Sequence, residues 1–395
     1  ALYEISNAIY PAAYLTVGHC ARLGHVLGIH SNTAPQKLVS PRRSPYDVAS
    51  TTPETDVPQR LAPSWRSGAG PGGPLLCWTG KSSTMHPFHA CHLHRDRYVN
   101  LGGTNRPFAC KDALPETHLP IDDRSWDQGV SHPCESPIAT ADLYQDLALV
   151  QPLAVSTSTT IPAPPFARTC QATHLLSKVL THLDDTTTEP DFRYQEALQI
   201  DRTLRAFCST LLTDAEDLAE KTSDPGSYLH FGAALGLGYS AILSLYGTYS
   251  CAEQQDARQL GNPSLLEMQK TAMANLMGVC GEVSRLARRV SAAAELGGML
   301  SMSPLLCNCF YEAGANYLWR IRETGDQGLR RDFFEIEGAL GIMGTRWQCA
   351  RKSFVHPFAL AVAGTKSAQG STSGSSRHIS LRKGSFLSSR LSQGA

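Results

Sequence analysis

Apolar positions recur along much of this chain at spacings of three and four, the period that puts residues on one face of an α-helix. Between Pro11 and His30 the positions Leu15, His19, Leu23, Val26 and Leu27 follow it, so the chain is expected to start helical. Phe166, Cys170, Thr173, Leu176, Leu180 and Leu183 share one face of a second segment, and Ala197, Ile200, Leu204, Phe207 and Leu211 share one face of a third. Each predicts a helix that buries a stripe against its neighbours. From Phe231 to Tyr249 run nineteen residues without a charge, long enough to cross a membrane. Gly232, Gly236, Gly238 and Gly247 dilute that run and no basic flank marks an inside end, so it reads as a helix buried on all sides of a bundle. Ala272, Leu276, Val279, Val283, Leu286, Val290 and Ala293 form a heptad-like seam, with Arg285, Arg288 and Arg289 mostly off it. Such a seam could join two copies in a homodimer, but it is short for an independent coiled coil and reads as an ordinary bundle helix. Ser303 and Pro304 form a cap and first-turn pair for a helix over 305–323. A last helix sets Leu329, Phe333, Ile336, Leu340, Met343 and Trp347 on one face. Strand-like alternation is scarce, and the expected fold class is all-α, a large multi-helix bundle.

The interruptions define the organisation. Residues 31–60 are polar and Pro-rich, as in a surface loop. Residues 60–95 have neither helical nor strand period, and 130–165 are rich in Ser, Thr and Pro, which suits an exposed linker or a loop over the domain. The expected division is a helical domain over 1–350, broken by these two stretches, and a mildly basic Ser/Gly-rich tail over 351–395 that should be disordered.

Composition adds limits. The hydrophobic share is 42% and the charged share 18%, as in a folded soluble protein. The 35 Lys and Arg balance the 35 Asp and Glu, so the chain lacks the positive field that neutralising DNA phosphates requires. Its 12 cysteines are scattered, mostly among apolar helical residues, and read as buried thiols of a reducing compartment. No secretory signal is apparent. Ala1 opens directly into helix-like text without Met, and the natural N-terminus is expected upstream.

Signatures of chemistry are few. There is no P-loop, no dinucleotide-binding Gly pattern, no G-x-S-x-G and no H-E-x-x-H, so the chain reads as no enzyme, and no catalytic, cofactor-binding or metal residue is assigned. His86, His89, Cys91, His92 and His94 crowd together with zinc-type donors, but without the separated ligand pairs of a structural zinc site. Cys307 and Cys309, two apart on a helix, point to different faces and read as core cysteines.

Four stretches carry a family resemblance. YPAAYLTVGHCARLGHVLGIH has an A-R-x-x-x-x-L-G-x-H pattern in Ala21, Arg22, Leu27, Gly28 and His30. DRYVNLGGTNRPFACKDALPETHLPIDD matches a signature at Asp96, Arg97, Gly102, Arg106, Pro107, Leu119 and Pro120. With FRYQEALQIDRTLRAF and FGAALGLGYSAILSLYGTYSC, these stretches resemble the regulatory middle homology region of fungal zinc-cluster transcription factors, across most of residues 1–350. The signature residues read as architecture: Asp96 and Arg97 close a helix, Gly102 and Gly103 permit a tight turn, Pro107 forces an extended exit, and Asp96 and Arg106 suit a structural ion pair.

The resemblance implies a nuclear regulatory region whose partners are transcriptional co-regulators, with no membrane role. It implies DNA contact only through a six-cysteine zinc cluster, and zinc only in that module; no C-x-x-C occurs here. The family's tryptophan-rich helix should precede Asp96, yet residues 60–95 are Gly/Pro/His-rich, and we expect them to be mistranslated or retained intronic sequence. A spliced transcript encoding them in frame would remove that idea. The other classes left open are a helical small-molecule sensor or enzyme, and a truncated inactive product.

Overall fold

The computed structural model describes residues 1–26, 87–101, 107–119, 153–158, 160–250, 262–298 and 302–355. Its helices are α1 (Leu2–Ser6), α2 (Tyr10–Val26), α3 (Pro87–Asn100), α4 (Pro165–Asp184), α5 (Pro190–Thr222), α6 (Gly232–Tyr249), α7 (Pro263–Glu295), α8 (Leu306–Thr324), α9 (Leu329–Gly344) and α10 (Gln348–Val355), with a 3-10 turn at Pro225–Phe231. Among the described residues there is no strand, only an isolated antiparallel bridge between His118 and Ala154. The fold is all-α.

Local chemistry sets the helix ends. α4, α5 and α7 each begin on a proline, whose fixed φ suits the first turn and whose missing N–H costs nothing there. Asn262 caps α7 by accepting from the amides of Ser264 at 2.9 Å and Leu265 at 3.2 Å. α8 ends at Gly325, whose φ of +69° is the left-handed stop that glycine adopts without penalty.

The charge-free helix α6 is the hub, packed against α4, α5, α7 and α8. By length and composition it could cross a membrane, but 83% of its apolar window is buried by its neighbours. The stripes of α4 and α5 face the core, and the seam of α7 is used inside the chain: Ala272, Val283, Leu286 and Val290 are buried. Arg285, Arg288 and Arg289 lie on its exposed side.

Two expectations are overturned and three are refined. α2 forms, but its inward face is Tyr10, Ala13, Val17, Gly18 and Ala21, while Leu15 (67% exposed) and Leu23 (51%) face out. A Cβ on Gly18 would meet Arg22 at 3.5 Å and Ala109 Cβ at 3.9 Å, ordinary contact distances, so space alone does not select glycine there. Residues 87–95, expected to lack helical period, form most of α3. Val155 and Ala163, in the stretch expected as an exposed linker or a loop over the domain, are buried against the bundle, as such a loop would be. The boundary at 350 falls inside α10. α8 opens at Leu306 rather than 305, with the Ser303 hydroxyl accepting from the Leu305 amide at 3.3 Å. All of 31–86, 120–152 and 356–395 lie outside the described residues.

Candidate functional site

The signature segment enters the fold through the last turns of α3, where Asp96 and Arg97 are both fully buried. Two adjacent ionic residues can be inside together only if each meets groups that replace water. Arg97 donates from Nε to Ser177 Oγ of α4 at 2.6 Å, and from one terminal nitrogen to the Asp96 carboxylate. Its other terminal nitrogen donates to the Cys110 carbonyl at 3.0 Å and to Asp112 at 2.6 Å. The Phe108 ring lies 3.9 Å from the guanidinium carbon, a cation–π contact that covers one face. Asp96 accepts the backbone amides of Ala109, at 3.1 Å, and Cys110, also at 3.1 Å. Burial pushes the Asp96 carboxyl upward, while Arg97 and those amides pull it back toward the charged form.

This geometry is a clasp. With its donors spread over α3, α4 and the 107–113 segment, Arg97 is committed to holding the chain and is poorly placed to greet a ligand. The clasp has a counterpart on α4, where Arg168 meets Asp214 of α5 at 2.8 Å, Gln171 at 3.0 Å and the Ile161 carbonyl at 3.0 Å. Gln171 then donates to the Thr157 carbonyl at 3.2 Å. Together the two arginines fasten 107–119 and 153–164 onto the bundle over a second apolar cluster that includes Leu93, Cys110, Leu119, Val155 and Cys170.

The remaining signature residues are placed as follows. Arg22 is exposed on α2, Pro107 is exposed, and Leu119 is buried beneath the bridge, its amide donating to the Leu153 carbonyl at 2.6 Å. Gly28, His30, Gly102, Arg106 and Pro120 lie outside the described residues, so the guanidinium that Asp96 meets among them is that of Arg97.

The histidine-rich run is spread around α3, with His92 buried and His89 half-buried. Burial pushes both His92 and His94 toward the neutral imidazole. Among the described residues no three His, Cys, Asp or Glu side chains converge as metal ligands would, and His86 lies outside them. Cys307 and Cys309 are both fully buried: Cys309 donates to the Leu306 carbonyl at 3.2 Å, and Cys307 meets Cys349 Sγ at 3.4 Å. Burial pushes the Cys110 thiol up to about 12, which removes the thiolate that reactive chemistry needs.

Sequence reasoning missed Arg168, Ser177 and His182. The signal was partial: Arg168, Gln171, His174 and Ser177 recur at every third position of α4, a polar row that winds around the helix into its apolar stripe. A helix that buries both stripes must partner the polar one.

No known family model matches the chain, and neither does any solved structure. A stretch of 36 residues, 9% of this chain, is 61% identical to part of Transcription factor BOA15 of Botryotinia fuckeliana (strain B05.10). The match spans 20% of that protein's own length.

Proposed function

We propose that this chain is the regulatory region of a nuclear transcription factor of the fungal zinc-cluster kind, acting without catalysis on transcription by RNA polymerase II. The segment shared with a transcription factor carries the reading. Two physical features support it. The formal charge of zero suits a region that meets proteins rather than phosphates. The buried clasp spends its ionic groups on architecture, as a scaffold for contacts with co-regulators does. DNA contact and zinc belong to a cluster carried outside residues 1–395.

The test fuses residues 1–395 to a heterologous DNA-binding domain and reads a reporter gene carrying its site. Expression should shift, up or down, from that of the DNA-binding domain alone, and the fusion should concentrate in nuclei. Reporter output identical to the bare domain would overturn the proposal. Genomic sequence upstream of Ala1 should encode six cysteines at zinc-cluster spacing.

A further inference from the structure

At the end of α6 a second polar chain joins three helices. His182, in the last turn of α4, is 3% exposed. Its Nδ1 lies 2.7 Å from Glu196 Oε2 on α5, and its Nε2 lies 2.8 Å from the hydroxyl of Tyr249, the last residue of α6. Tyr249 is 1% exposed and packs edge-on against Tyr194. The Glu196 side chain is 44% exposed, so the chain of three groups runs from solvent into the core.

The donors and acceptors admit one arrangement for a neutral ring. An ionised Glu196 can only accept, so Nδ1 carries the hydrogen; Nε2 is then an acceptor and takes the Tyr249 O–H. The charged groups facing His182 are Glu196 and Arg193 from α5 and Asp185 from the end of its own helix, with the Tyr249 phenol from α6. Burial lowers the imidazole's proton affinity, and Arg193 adds to this, against Glu196 and Asp185.

We propose that Glu196, His182 and Tyr249 form a proton-gated latch, closed while His182 is the neutral Nδ1–H tautomer, that ties the ends of α4, α5 and α6. Protonation puts a hydrogen on Nε2, so the tyrosine oxygen must accept where its O–H had donated, and that O–H is turned away from its acceptor inside a buried site. The contact that changes is therefore the one to Tyr249, while Nδ1–H keeps its bond to Glu196. A folded-state proton affinity below that of the unfolded chain means that the latch contributes fully above the ordinary histidine range, and that the contribution is lost as pH falls below it.

The experiment labels histidine with 15N in the whole chain and follows His182 by long-range 15N–1H correlation, with melting curves at each pH. Wild type should show the Nδ1–H tautomer at pH 7.5. Its melting temperature should fall more steeply toward pH 5 than that of His182→Gln. In Tyr249→Phe, which removes the O–H that only a neutral Nε2 accepts, the His182 midpoint should rise. An Nε2–H tautomer or an imidazolium at pH 7.5 overturns the latch. So do parallel melting curves for wild type and His182→Gln, or a midpoint unmoved by Tyr249→Phe. The wild-type tautomer decides the matter even if a variant does not fold.

Discussion

Replacing Arg97 with alanine is expected to lower the stability of the chain by about 3 to 5 kcal/mol, the range for stranding one member of a buried ion pair. Asp96 is fully buried and would keep its carboxylate among the amides of Ala109 and Cys110 with no cation beside it. Ser177 Oγ and the Cys110 carbonyl would lose their donor in the same step. In melting experiments this amounts to a fall on the order of 10 °C, or to a chain that fails to fold. Arg97→Lys should fall between, since one ammonium cannot reach four acceptors spread over α3, α4 and the 107–113 segment. Pairing Arg97→Met with Asp96→Asn should recover part of the loss, because the second change removes the orphaned charge and leaves an amide oxygen for the backbone donors. A melting temperature for Arg97→Ala equal to wild type would sink the clasp. So would a double variant worse than the single one, because the penalty would then not come from an unpaired charge.

The parts of the fold that the sequence disclosed are those where hydrophobicity and helical period agree. α5, α7 and α9 each bury the face that their Leu, Ile, Val, Phe and Met positions mark, and α6 is recognisable because no charge interrupts it. α2 misled because leucines outrank alanines on any hydrophobicity scale, yet the positions it buries are those of Ala13, Gly18 and Ala21. α3 was hidden because histidines read as polar, although His92 is buried. At the site, Asp96 and Arg97 were recognised as groups able to pair, but Ser177 stands eighty positions along the chain from Arg97. Only the packing of α3 on α4 brings them together. Side chains that answer one another across such a distance leave no local period, so the clasp and the latch became visible only in three dimensions.

The second large effect is expected at the hub. A Cβ added at Gly236 of α6 would lie 2.8 Å from the carbonyl oxygen of Leu305 and 3.0 Å from the amide nitrogen of Leu306. Both are backbone atoms at the start of α8, so neither can turn aside as a flexible side chain would. Gly236→Ala must therefore push α8 off the central helix, at a cost of about 3 kcal/mol, the upper end for overpacking a close-packed core. Gly247, in the same helix, has nothing within 4 Å of its added Cβ. There the substitution should stabilise by about 0.5 to 1 kcal/mol, the helix-propensity gain of alanine over glycine. Two identical substitutions eleven positions apart in one helix should thus move the denaturation midpoint in opposite directions. Equal shifts would mean that α6 is not the tightly seated hub, since propensity alone would then govern both sites. Opposite shifts would establish that glycine at 236 is there for the approach of α8, and that the charge-free run is built for the centre of a bundle.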